Sequence, residues 1–247
     1  MAETKEFWNI RAKSFPGHRD GDTYQAKMLD VMEKGGVVLD GHTVLDLGCG
    51  SGAYTVHMAR QAKQVTALDI SEVMLDGVRK AAAENGITNI DYVLSDWMDF
   101  TPPHKYDIIF TSLTPAVKDE ASVDKIRDFA AKWVVNISFT GHMTANVLNW
   151  VFDLHNIERS HSKQEPIMRR WLEKHGVPFK AYPVQGEWVT PRTYQAMLDN
   201  CIDVIEAHGN TPDIEGIKRE MEQFKDEESG MYISKTGYNV EMLIWEV

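Results

Sequence analysis

Cysteine is scarce in this chain of 247 residues: only Cys49 and Cys201 occur, without C-x-x-C spacing. That pattern excludes a disulfide framework and a cysteine-based zinc site. His155 and His161 do not share a helix face at their spacing, and no metal site is expected. No run of about 18 apolar residues occurs, so no membrane-spanning helix is expected. No apolar leader opens the chain, which makes the cytoplasm the expected location. Basic residues are outnumbered, 26 Lys+Arg against 37 Asp+Glu, giving a net charge of −11. A nucleic-acid binder draws much of its affinity from phosphate contacts on a basic face. Nucleic acid is therefore not the expected partner. Internal repeats, low-complexity tracts and a clear linker are also missing.

The chain does contain an alternating series of apolar strands and helical patterns. Strands are expected at 43–47, 64–69, 90–94, 106–111 and 133–139. Helices are expected at 52–62, from Ser71 to Glu84 and near 119–131. Strands alternating with helices imply right-handed βαβ units and a parallel sheet covered on both faces. Before this series, Asp22 or Thr23 caps a helix that places Tyr24, Met28, Val31 and Met32 on one face and stops at Gly35-Gly36. After it, helical patterns are expected at 145–157 and 163–175, with a strand at 178–185. Thr190-Pro191 reads as the N-cap and first residue of a helix bearing Tyr194, Met197, Leu198 and Cys201. Residues 213–226 read as a charged helix, and 231–246 as a strand pair turning at Thr236-Gly237.

The stretch "VLDLGCGSGAY", 44–54, runs from a strand into a glycine-rich loop. Gly48, Gly50 and Gly52 give G-x-G-x-G, while Gly48, Gly50 and Ala53 also fit the dinucleotide fingerprint. Strand-end acids separate the two. Asp46 ends the first strand, and a carboxylate there is a poor neighbour for a pyrophosphate but a good one for an ammonium group. Asp69 ends the second strand, where it can accept from ribose hydroxyls. Asp96-Trp97 ends the third, where an acid can accept from an adenine amine beside apolar cover. Adenine, ribose and a cationic tail together describe S-adenosylmethionine.

These motifs, with "ALDIS" at 67–71, "LSDWMDF" at 94–100 and "KYDIIFTSLT" at 105–114, resemble a class I S-adenosylmethionine-dependent methyltransferase. The resemblance covers roughly residues 40–150. It implies a doubly wound, mostly parallel seven-stranded Rossmann-like sheet with a helical cap and an antiparallel C-terminal strand. A single domain is expected, with lid helices at 1–36, a cofactor core at 40–140, a cap at 141–230 and terminal strands at 231–247. The implied cofactor is S-adenosylmethionine, with S-adenosylhomocysteine as product. Its expected contacts are Asp46, Gly48, Gly50, Asp69, Ile70, Met74, Asp96, Trp97 and Thr111.

Methyl transfer is an in-line displacement that positioning can accelerate strongly, and a base is needed only if the acceptor must lose a proton. The segment after the fourth strand, "TSLTPAV", lacks the paired prolines and the aromatic of enzymes that methylate nucleic-acid amines. A small-molecule acceptor is expected. A tRNA or protein acceptor, a non-catalytic binder of the cofactor, and a dinucleotide oxidoreductase are the alternatives. His18, Tyr24 and Ser112 are the candidates for orienting or deprotonating an acceptor. Trp8, Arg11 and Phe15 of "EFWNIRAKSF" are candidate lid residues, and His142, Asn146 and Asn149 are further candidates to face the acceptor.

Overall fold

A computed structural model describes all residues except 1–3, 14, 16, 19, 22, 142 and 159–165. The expectations that fall on Asp22, His142 and His161 lie outside the described residues. The chain divides into two compact units.

The larger unit comprises residues 16–140, 165–183 and 241–247. Strands β1 (Thr43–Leu47), β2 (Gln64–Asp69), β3 (Ile90–Leu94), β4 (Tyr106–Ser112) and β5 (Ala130–Phe139) lie in the order β3-β2-β1-β4-β5. Every neighbouring pair among these five is parallel. The antiparallel C-terminal strand β8 (Tyr232–Glu246) lies next to β5. The strands of β1 and β2 are buried almost end to end, as a sheet covered on both faces requires. Their apolar side chains form a core with Trp97, Val123, Ile126 and Trp171. The strand order reverses between β1 and β4, and ligands of open α/β sheets bind outside the carboxyl ends at such a switch point.

Helices join these strands. Helix α2 (Tyr24–Lys34) is capped by the Thr23 hydroxyl, which accepts from the Ala26 amide. It buries Met28, Leu29 and Met32, while Val31 is only partly covered. Helix α3 is shorter than the sequence pattern suggests, Thr55–Ala59, because the loop holds Gly52 in the left-handed region at φ 87°. Helix α4 (Glu72–Glu84) starts where expected, capped by Ser71 Oγ accepting from the Met74 amide at 3.2 Å. Helix α5 (Glu120–Phe129) opens with a capping box between Asp119 and Ser122, and α7 (Ile167–His175) ends at a left-handed Gly176.

The smaller unit comprises residues 1–15, 141–164 and 184–240. It holds α1 (Lys5–Ala12), β6 (Thr144–Ala145), α6 (Asn146–Leu154), most of β7 (Lys180–Arg192), α8 (Tyr194–Ala207) and α9 (Ile214–Glu220). Its core joins Val147, Val151, Met197, Cys201, Ile205 and Ile217.

Two expectations are corrected here. Thr190-Pro191 does not open a helix: both residues lie in β7, and Thr193 caps α8 by accepting from the Ala196 amide. β7 pairs with β8 and stands off the main strand order, so a proline lacking its N–H is tolerated there. Residues 231–246 form one strand rather than two. Thr236 and Gly237 are not a turn; they pair antiparallel with Ala145 and Thr144. Glycine is needed at 237 because a Cβ there would press on the Thr144 hydroxyl.

Candidate active site

The loop after β1 is tied down by its own amides. Gly48 N and Cys49 N both donate to the Leu68 carbonyl, at 2.8 and 3.0 Å. Gly48 sits at φ 70°, and a Cβ on it would overlap the Thr114 side chain beyond β4. Gly50, at φ 54°, has open space where its side chain would be. Gly48 is thus required by packing, whereas Gly50 leaves the loop open to an approaching ligand.

Two acids flank this loop. Asp46 is 3% exposed, and its Oδ2 accepts from Thr55 Oγ1 at 2.6 Å. Burial pushes its carboxyl up to about 7; the Thr55 hydrogen bond opposes the rise and the charge of Asp69 adds to it. No cation is among those influences. Asp69 accepts from Gly50 N at Oδ2 and from Ser71 N at Oδ1, both at 2.9 Å. Burial raises its carboxyl too, against the backbone hydrogen bonds from Ser71, Gly50 and Ile70. Three amide donors leave the Asp69 carboxylate with acceptor capacity to spare. Among the described residues, no cation figures in the electrostatics of either buried acid.

The other expected cofactor contacts are placed unequally. Ile70 is partly exposed just after Asp69, whereas Met74 is fully buried in the first helical turn that follows. Asp96 is partly exposed and turns its Oδ1 onto the Met98 amide at 2.7 Å. The Trp97 indole is buried in the core; its N–H donates to the Ser122 carbonyl, and Lys125 Nζ lies 4.6 Å from its ring centroid. Thr111 is fully buried and accepts at Oγ1 from Asn136 Nδ2 at 2.8 Å.

Two of the three candidates for acceptor chemistry come together. The Tyr54 hydroxyl lies beside the hydroxyls of Ser112 and Tyr24, and within the electrostatic reach of Asp46. Burial holds the Tyr54 phenol well above its ordinary range, so it stays neutral and donates or accepts without ionising. The ring centroid of His18, the third candidate, lies 4.4 Å from that of His57. Its Nε2 lies 3.4 Å from Asp20 Oδ1, and Asp20 is held by Arg60 at 2.7 Å. Burial lowers the His18 pKa, leaving a neutral imidazole at pH 7.

Tyr54, Thr55 and Thr114 were not legible as site residues. Tyr54 and Thr55 read as the start of a helix, and Thr114 as part of a loop. Leu113 also carries no sequence signal, yet it adopts φ 50° directly after β4. A left-handed conformation in a non-glycine residue is a place where backbone strain is held.

Residues 44–133 match the family model described as a methyltransferase domain. The chain is 31% identical over 115 residues to an (S)-coclaurine N-methyltransferase of Thalictrum flavum, covering 45% of this chain and 32% of that protein. It is 30% identical over 125 residues to a ubiquinone biosynthesis O-methyltransferase of Serratia proteamaculans, covering 49% of this chain and 50% of that one. The chain therefore spans half or less of the length of these two relatives. Among solved structures, a coclaurine N-methyltransferase bound to N-methylheliamine and S-adenosylhomocysteine aligns with a TM-score of 0.52 at 16% identity, covering 98% of this chain and 81% of that one. A magnesium protoporphyrin IX methyltransferase of Synechocystis with bound S-adenosylhomocysteine aligns with a TM-score of 0.53 at 15% identity, covering 96% of each chain.

Proposed function

We propose that this chain, a member of the class I S-adenosylmethionine-dependent methyltransferases, moves a methyl group from that cofactor to a small organic acceptor. The observation that carries the reading is the pair of buried acids at the open glycine loop. Asp46 and Asp69 are raised by burial, so a ligand bringing an ammonium group restores the charge that burial penalises. A dinucleotide would instead bring a pyrophosphate to the same acids. The residues present fit the cofactor for that reason.

In this reading Asp46 receives the ammonium group and Asp69 the ribose hydroxyls. Gly50 gives the backbone room, Ile70 and Met74 flank the base, and Asp96 takes its exocyclic amine. Thr111 and Gly48 keep the strand ends in register, and Trp97 supports Asp96 from the core. The bound cofactor supplies a methyl group already activated by a sulfonium. The protein's work is then alignment and exclusion of water. Tyr24, Tyr54 and Ser112 orient the acceptor through neutral hydroxyls, and a neutral His18 is the group able to take a proton where the acceptor needs to lose one. The acceptor is a small molecule, as the names of both curated relatives suggest for those proteins and as the net charge of −11 favours over RNA.

The test is calorimetric titration with S-adenosylmethionine, S-adenosylhomocysteine and NADH, on the wild type and on Asp69→Ala. Binding of both adenosyl ligands, lost in a variant that still melts cooperatively, with no heat from NADH, is the expected result. Tight NADH binding without either adenosyl ligand would overturn the reading.

A further inference from the structure

Helix α5 carries a cation aimed at the turn that follows β3. Lys125 Nζ donates to the carbonyls of Trp97, Met98 and Phe100, at 2.6, 3.1 and 2.5 Å. An ammonium has three N–H groups, so each of them has a carbonyl. The same Nζ lies 4.6 Å from the Trp97 ring centroid, a cation–π contact that adds to its hold. Burial works against the charge of Lys125, and the Asp96 and Asp99 carboxylates support it. Among the described residues, however, Lys125 forms no ion pair with either acid.

The amides of the turn are committed as well. Met98 N donates to Asp96 Oδ1 at 2.7 Å, and Asp99 N and Phe100 N donate to the Asp96 carbonyl at 3.2 and 3.0 Å. Helix α5 is a firm post for this arrangement. Asp119 and Ser122 close its first turn, and the Ser122 carbonyl accepts from Trp97 Nε1 at 3.1 Å. Asp96 is thus held by its backbone and by one carboxylate oxygen. Its Oδ2 has no partner among the described residues, and the residue is partly exposed. A lysine paired with Asp96 would close that oxygen off. This lysine takes the carbonyls instead and leaves the oxygen open.

We propose that Lys125 is a positioning residue: by gathering the carbonyls of Trp97, Met98 and Phe100 it aims the open Asp96 oxygen at the exocyclic amine of the cofactor's base, and so sets a preference for adenine over hypoxanthine. Hypoxanthine carries an oxygen where adenine carries the amine. A fixed carboxylate meets that oxygen with a second acceptor, and a site built to accept a hydrogen bond rejects a group that cannot donate one. A loosened Asp96 turns away from the clash at little cost and also takes up the amine less well. Discrimination between the bases therefore depends on how firmly the turn is held.

This inference rests on the proposed placement of adenine at Asp96. Its test is calorimetric titration with S-adenosylhomocysteine and S-inosylhomocysteine. The wild type is expected to prefer the adenosyl ligand by about tenfold or more, the worth of one hydrogen bond to a charged group. Lys125→Met keeps an apolar stem near Trp97 and loses every N–H. Its preference is expected to shrink to about twofold, through weaker adenosyl binding. Val123→Ala, on the same helix and fully buried, removes no hydrogen bond from the turn. It lowers stability and leaves the preference unchanged, which is also how Lys125→Met would behave if Lys125 were merely structural. Lys125→Gln keeps two N–H donors without the charge. It is expected to give an intermediate preference, and it serves where the methionine variant does not fold. A wild-type preference kept in a folded Lys125 variant, loss of both ligands by the same factor, or no preference in a wild type that binds S-adenosylhomocysteine would overturn the proposal alone. A wild type that binds neither ligand would overturn the methyl-transfer reading and this proposal with it, so the two failures are told apart.

Discussion

Asp46 holds the sharpest residue-level consequence. Its folded pKa of about 7 lies above the ordinary carboxyl value of 3.8. The folded protein therefore keeps a proton that the unfolded chain gives up between about pH 4 and 7. Stability contributed by that proton is complete below the lower value and lost as pH rises through the upper one. Asp69 acts in the same direction. His18, held below 6.5 by burial, acts oppositely as pH falls. The test is a comparison of thermal midpoints from pH 4.5 to 8 for the wild type and Asp46→Asn: the variant is expected to lose part of the fall between pH 5 and 7. An ammonium-bearing cofactor also needs Asp46 ionised, so its affinity in the wild type drops by about tenfold per pH unit below 7. Asp46→Asn should bind more weakly and with that slope removed. Identical pH slopes in both proteins would mean that Asp46 is not the titrating group.

The two loop glycines separate packing from function. Gly48→Ala meets both a left-handed backbone and the Thr114 side chain. The backbone alone costs about 1–3 kcal/mol, so the thermal midpoint falls. Gly50→Ala meets open space and costs about 1–2 kcal/mol from its positive φ. It leaves a folded protein whose new methyl group occupies the approach to the loop. Its affinity for S-adenosylhomocysteine is expected to fall more than its stability does, with calorimetry reading one and thermal melting the other.

At the level of elements, the parallel core was legible because each of its signals is local. The strands 43–47, 64–69 and 90–94 are short runs with an acid at or within two residues of their ends, and β1, β2 and β3 have those bounds. Ser71 before an amphipathic run marks α4, and its hydroxyl does cap that helix. Ser71→Ala is expected to cost about 1 kcal/mol in chemical denaturation. The misreadings came from residues whose reason is a distant partner. Thr190-Pro191 has the chemistry of a helix start, but the edge of β7 gives that proline an equally good place. Thr236-Gly237 has the chemistry of a turn, but Gly237 is small because Thr144, 93 positions earlier, packs on it. Gly237→Ala should therefore loosen β6 from β8, with faster amide exchange at Thr144 and Ala145 and unchanged exchange in β1 and β2. In the site, Asp46, Asp69 and the glycines were legible because they sit at strand ends. Tyr54, Thr55 and Thr114 were not, because their roles come from the neighbours the fold brings to them.

At the scale of the whole molecule, the two units are built differently along the chain. The larger is mostly one continuous segment, 16–140, whereas the smaller is gathered from three. Local patterns therefore identify the first, and the class I resemblance read from it is borne out by the methyltransferase model matching 44–133. The second depends on contacts between segments far apart in sequence. This division also sets what a ligand does to unfolding. S-adenosylhomocysteine at 100 times its dissociation constant adds about 2.7 kcal/mol to the state that binds it. For a chain of this size that corresponds to a rise of roughly 5–11 °C in the midpoint, from about 2–4 °C per kcal/mol. The segments of the two units alternate along the chain, so a single calorimetric transition is expected, moved as a whole by the ligand. Two transitions, with only one displaced by S-adenosylhomocysteine, would instead make the units independent folding bodies.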